Sequence, residues 1–364
     1  MIGKLLKLAS VLLSSAIAYG VYRLAFAFPA LTESLYSRKI YPALARFLGG
    51  LTGGFSFSLA EILVYLLIAS VLFFLIYIIF AFFKPKGSKL YHIAKRVLGF
   101  LILICTLYNM FIFFWGINYA RLPLADSMEL EIEAYSKEEL AALCDVLVEK
   151  TNASRKNVSE TAEGAFTLSH SKEYYQKKVS EIYDDCAPDY MNLGVKSQVK
   201  GVMTKNMLSS TLTYGIFSPF TYEANINLQM PDLYFPVVAL HEFAHLQGFA
   251  REDEANFIAW YLGYQCTDPD FIYSANVYAL RYALNSLYST SPEAYQKAYE
   301  KLEEGVKLDY YISARYWEQF ETDFSEKSQE TYEKYLSYNG VEDGLKSYGR
   351  MLDLMLAYYK RDGI

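Results

Sequence analysis

Residues 234–260 read YFPVVALHEFAHLQGFAREDEANFIAW. The first seven are apolar or aromatic, and the polar residues that follow are His241, Glu242 and His245. Histidines at i and i+4 share one face of a helix, so both imidazoles can reach one metal ion. Glu242 sits beside them, placed to take a proton from water that the metal polarises and to return it to a leaving amine. The chain holds only 4 histidines, so a chance pair at this spacing is uncommon. A helix is expected from Asp232, read as its N-cap, through about Gln247. Gly248 should end it, and a second helix should run from about Arg251 to Gln265.

Zinc needs a third protein ligand. Position 251, three residues past the glycine, holds an arginine. His92 lies in a basic loop between apolar runs, and His170 is far upstream. Carboxylates are therefore the candidates: Glu252, Asp253 and Glu254. Gly248 permits a sharp turn, so the second helix can fold back over the site. On that helix Glu252 and Asn256 share a face at i, i+4, and Ala255 lets the backbones approach. Acids in the first turn of a helix also have a bland reading, as a solvated end favoured by the helix dipole.

The pattern Glu-x-x-Ala-Asn at 252–256 is similar to the Glu-x-x-Ala-Asp pattern of the integral-membrane CAAX prenyl-protein zinc proteases and their bacterial heat-shock relatives. That resemblance implies Glu252 as the third ligand, with Glu254 the alternative. It implies Asn256 as the partner of a histidine ligand, although Asn brings no charge where the family has Asp.

Working outward, residues 211–228 are rich in Thr, Tyr, Phe and Ile, with Gly215 and Pro219 as punctuation. They predict one or two strands. The 216–228 stretch is the candidate to lie beside the metal-site helix and hold a substrate in extended form, and could as easily be core. Ser136 with Glu139 predicts a capping box that opens a helix to about Lys150. Further helices are expected over 171–185, 270–288, 291–304, 309–336 and 341–360, with Asn339-Gly340 as the turn before the last. Tyr311 and Arg315, at i, i+4, are candidates to stabilise an oxyanion. With 34 tyrosines in the chain, packing is the ordinary role for any one of them.

The N-terminal third differs in texture. The apolar stretches 8–28, 62–83 and 97–118 each approach the ~20 residues needed to cross a ~30 Å hydrocarbon core. The first could be read as a signal peptide ending at Ala16-Ile17-Ala18, but apolar residues continue beyond that point, which favours an uncleaved span. Lys84, Lys86, Lys89, Lys95 and Arg96 form the densest basic cluster beside any span. This predicts a cytoplasmic N-terminus and second loop, and an extracytoplasmic domain from residue 121 onward. The bilayer is thus an expected partner. Net charge is -6, and no basic stripe or reader motif points to nucleic acid. Cys144, Cys186 and Cys266 allow either a disulfide or free buried thiols.

The expected architecture is mainly α: a membrane domain over 1–120, then a zincin-like, mostly helical domain over 121–364 with a small β element beside the HExxH helix. The set WGINYARLPL (115–124), HEFAHLQGFAREDEANFIAW (241–260) and YLSYNGVEDGLKSYGRMLDLMLAYY (335–359) resembles a family of bacterial multi-pass membrane proteins grouped as a domain of unknown function. That resemblance implies the architecture and a zincin-type site, and no substrate. The expected activity is zinc-dependent hydrolysis of peptides or proteins near the bacterial cytoplasmic membrane, with one Zn2+ per chain. The alternative is a metal-binding membrane sensor or structural protein without turnover. Glu242 speaks against it, because a structural site needs no base. The spans alone would suggest a transporter, but they carry few polar groups.

Overall fold

A computed structural model describes residues 2–340 and 350–364, residues 82, 84 and 85 excepted. Three helices are long and apolar enough to cross a membrane: α1 (Ile2–Ala27), α3 (Leu59–Ala81) and α4 (Lys86–Phe114), the last from Lys89 onward. Nearly all their side chains lie outside any protein core, as lipid-facing helices require. The Lys4 ammonium donates to the Lys95 carbonyl, and Asn109 donates to Ser14, so α1 and α4 run parallel. The basic ends of these helices therefore lie away from the rest of the chain. Of the basic cluster, Lys84 falls outside the described residues.

The third apolar helix stops at Phe114, short of the expected 118. Residues 115–121 turn inward instead and are all buried, Asn118 completely. The stretch 28–58, between the first two apolar helices, is largely helical. A wide π-type turn spans Thr32–Ile40, followed by α2 (Tyr41–Gly53). It is held by buried charge: Glu33 accepts from both Arg121 and Arg38. Single-sequence periodicity missed it because it is short and irregular, and its order comes from tertiary partners.

Past residue 121 the chain is mostly helical, with α5 (Lys137–Arg155), α6 (Lys172–Cys186), α7 (Phe235–Leu246), α8 (Glu252–Gln265), α9 (Pro269–Thr290) and α10 (Pro292–Glu300). The Ser136–Glu139 capping box at α5 forms as expected. The 309–336 helix is instead two, α11 (Glu304–Glu318) and α12 (Asp323–Tyr338). Thr322 and Ser325 form a second capping box at the break, with no Gly or Pro to mark it. The described part of the last helix, α13, covers Arg350–Asp362, and Gly340 has φ +85 at the expected turn. Residues 341–349 of the expected 341–360 helix lie outside the described residues. All four cysteines are free thiols.

One small sheet has the order β1-β3-β2, from β1 (Lys200–Val202), β2 (Gly215–Ser218) and β3 (Glu223–Asn227). Gly215 faces Ile226 and Ser218 faces Glu223 in the antiparallel pair, which leaves β2 at an edge. The buried central strand alternates. Ala224 and Ile226 join the hydrophobic core, while Glu223, Asn225 and Asn227 each find a polar partner. Strand β1, too short to leave a pattern, was not foreseen.

The sheet is joined to the second apolar helix. Glu223 accepts from the Leu59 and Ala60 amides, two of the unsatisfied donors at the start of α3, and Glu61 accepts from Met203 and Thr204. The globular part is thereby fixed at one end of the apolar helices.

Helix α7 is buried throughout, as its all-round apolar first half demands. Pro236 opens it, and Asp232 does not cap it. Asp232 instead accepts from Thr167 and Leu168 and faces Lys172. The helix ends in a Schellman turn, with Phe249 N donating to Ala244 O and Gly248 N to His245 O. Gly248 sits at φ +87, and a Cβ there would lie 2.9 Å from the Tyr41 ring. Gly248→Ala should therefore cost about 1–3 kcal/mol, read as a lowered midpoint of thermal unfolding.

Candidate metal centre

The Schellman turn sets the site. It carries Phe249 back so that its carbonyl accepts from His245 Nδ1 at 2.7 Å. That bond leaves His245 Nε2 free to face the pocket, the orientation that a ligating imidazole needs. His241 Nε2 lies 3.1 Å from His245 Nε2. The turn also returns α8 over α7, which brings Glu252 to both rings. One Glu252 oxygen is 3.3 Å from His241 Nε2, and the other is 3.6 Å from His245 Nε2. Donors held about 2.0–2.1 Å from a tetrahedral zinc stand about 3.3 Å from one another. The three groups thus lie close enough to reach one cation, with one Glu252 oxygen against each ring. All three residues are buried, in a part of the chain otherwise packed with apolar side chains.

Each group answers to that crowding. Burial opposes charge on His245, but the neighbouring Glu252 carboxylate outweighs it and lifts His245 to about 9. Burial likewise opposes charge on Glu252, and the two imidazoles more than compensate, holding it well below the usual carboxylate range. Two imidazole nitrogens 3.1 Å apart need a proton or a cation between them. A metal must displace that proton. Zinc affinity should accordingly fall as pH drops below about 9, and chelator-competition titrations at successive pH values would check this.

Glu242 is buried beside the cluster, and burial lifts its carboxyl to about 8. A Cβ on Gly215 would fall 2.5 Å from Glu242 Oε1, so only glycine lets the edge strand pass so close to this carboxylate. Gly215→Val should displace Glu242 while leaving the three donors in place. It is expected to reduce any activity far more than metal content, each measured on the same sample.

Asn256 lies beside His241, and its Oδ1 accepts from Tyr278 OH at 2.8 Å. His241 Nδ1 and Asn256 Nδ2 are both buried without a partner. An amide can present either end to an imidazole, so Asn256 can serve His241 as donor or, once turned over, as acceptor. A carboxylate could only accept.

Other expected positions fall elsewhere. Glu254 points away from the cluster: it accepts from the Leu124 amide at 2.8 Å and faces Arg251, and burial raises it to about 7. Glu254→Gln should leave zinc content unchanged by mass spectrometry. Asp253 pairs with Arg251. Tyr311 is 61% exposed and Arg315 pairs with Glu318 on the surface of α11, so neither reaches the site. The break before α12 supplies what α11 does not. Tyr332 OH donates to Glu252 Oε1 at 2.5 Å, and Tyr335 bonds Tyr119 next to it. These two tyrosines at i, i+3 gave no signal among 34.

The three donors and Glu242 line a cavity of about 900 Å³. Its walls include residues 215–217 of the edge strand and the two residues before it, Tyr332 and Tyr335 from α12, and Trp115, the residue that follows the third apolar helix. The molecule is thus a membrane-associated, mainly helical protein with a buried His-His-Glu cluster opening on a large cavity. A family model described as "Protein of unknown function (DUF3810)" matches residues 36–356, and the chain belongs to that family. No curated protein and no solved structure matches it.

Proposed function

We propose that this protein is a membrane-anchored zinc metallopeptidase. The observation that carries the reading is the convergence of His241, His245 and Glu252 within reach of one cation, with Glu242 beside them on a cavity wall. Two imidazoles and one carboxylate suit zinc among the common divalent ions. A structural site would be closed and need no base, whereas this one faces a cavity. Bound zinc would supply a Lewis acid that polarises water and the scissile carbonyl.

The chain's own residues would do the rest. Glu242, raised to about 8 when no cation is near, takes the proton of the attacking water and passes it to the leaving amine. His245 is held in one tautomer by Phe249, and Glu252 is oriented by Tyr332. The edge strand β2 offers main-chain groups to an extended peptide. Tyr335 also lines the cavity and can accept from Tyr119 while keeping its own proton to donate, so it takes over the oxyanion role first sought at Tyr311 and Arg315.

Lys4 and Lys95 lie together at the end of the apolar helices remote from the globular part. The excess of positive charge there supports a cytoplasmic position for that end and an extracytoplasmic one for the cavity. Arg38, on the globular side, is paired with Glu33, which it shares with Arg121. Since Trp115 follows the third apolar helix directly, the substrate is expected to be a peptide or protein close to the membrane surface.

Incubating the detergent-purified protein with a mixture of synthetic peptides, and reading new termini by mass spectrometry, tests this. Cleavage should appear, disappear with chelator and return with zinc. A zinc-loaded protein that cleaves nothing would favour the metal-binding sensor or structural reading instead.

A further inference from the structure

The cavity contains one cation that the proposed chemistry does not use. Buried cations in this protein have acidic partners: Arg121 has Glu33, Arg155 has Asp309, and Lys200 has Glu223. Arg281, on α9 and lining the cavity, pairs with no carboxylate among the described residues. Its guanidinium sits among the rings of Tyr214, Tyr234, Tyr278 and Tyr282, at 4.9–5.8 Å from their centroids. Two of its N–H groups donate to tyrosine hydroxyls, Tyr214 at 3.1 Å and Tyr282 at 3.3 Å, and its Nε is buried with no acceptor. Aromatic faces favour a cation but leave its charge uncompensated. The Tyr214 hydroxyl accepts from Arg281, so its own proton remains to be donated.

This cage adjoins the metal centre on two sides. Tyr278 donates to Asn256, which lies beside His241. Tyr214 immediately precedes Gly215, whose backbone packs on Glu242. A peptide laid along β2 with its scissile bond at Glu242 would therefore present a neighbouring group to Arg281.

We infer that Arg281, with the Tyr214 hydroxyl, forms a subsite for a carboxylate of the substrate, either the chain-terminal carboxylate or an acidic side chain next to the cleaved bond. A guanidinium binds a carboxylate through paired N–H donors, and a site walled by rings strengthens that attraction. This rests on the peptidase reading for its meaning, but the binding step needs neither zinc nor turnover.

The test is calorimetric titration of the full-length protein in nonionic detergent, carrying Glu242→Gln to prevent turnover, both zinc-loaded and chelator-treated. The probes are acetyl-tetra-alanine with a free carboxylate, its C-terminal amide, and an amidated alanine peptide with one internal aspartate. A tenfold or greater preference for one or both carboxylate peptides over the neutral amide is expected, with or without zinc. Which acidic peptide shows it identifies the source. Adding Arg281→Gln should erase the preference, and Arg281→Lys should keep part of it. Equal binding of acid and amide, absence of binding, a preference seen only with zinc, or one that survives Arg281→Gln would each overturn the inference. The acid–amide comparison in the arginine-containing protein needs no cage variant to fold. A zinc-independent preference in a protein that cleaves nothing would uphold the subsite while the peptidase reading failed.

Discussion

Glu242→Gln is expected to lower peptide hydrolysis by roughly 10²–10⁴-fold, the usual worth of a positioned general base, and to leave bound zinc unchanged. Glutamine fills the same space against Gly215 but cannot hold the transferred proton. The three donor atoms belong to other residues, so the metal should stay. Parallel assays of cleavage and of metal content on the same preparation separate the two effects. Equal activity in the variant would remove Glu242 from the chemistry. Loss of zinc along with activity would show instead that Glu242 helps to hold the ion.

Removing the third donor should have the opposite signature. Glu252→Ala deletes the carboxylate that lies against both imidazoles and strands the hydroxyl of Tyr332. Zinc should then bind at least ~10²-fold more weakly, since even changes to the supporting partners of a ligand cost 10–100-fold. The stability consequence follows by mass action. Free zinc at ~10³ times its dissociation constant stabilises the native protein by about 4 kcal/mol. The melting temperature should rise with added zinc in the wild type and stay nearly flat in the variant. A full zinc-dependent shift in Glu252→Ala would place the third ligand elsewhere.

Much of this site was legible before any coordinates. Residues 241–256 carry the two histidines, Glu242, the turn and the returning carboxylate within one short window, so local geometry alone brings them together. The glycine that permits the turn and the i, i+4 spacing are both local rules. The apolar helices were legible for the same reason, although the third was extended four residues too far because WGIN carries no charge to end the run and is in fact buried in protein. What stayed hidden depends on distant contacts. Glu252 and Glu254 differ only in which face of α8 meets α7, and the Leu124 amide that claims Glu254 lies 130 residues away. Tyr332 and Tyr335 reach the cavity because α11 and α12 are separate, a break set by Thr322 and Ser325 alone. Arg281 has no motif at all, and its interest comes from the absence of an acid partner among the described residues, which only packing reveals.

The most direct test is the zinc content of the detergent-purified wild-type protein, measured by inductively coupled plasma mass spectrometry after zinc is supplied and excess removed. One zinc per chain is expected. No retained zinc would mean that His241, His245 and Glu252 are a hydrogen-bonded cluster inside a structural helix pair, and the peptidase reading would have to be abandoned.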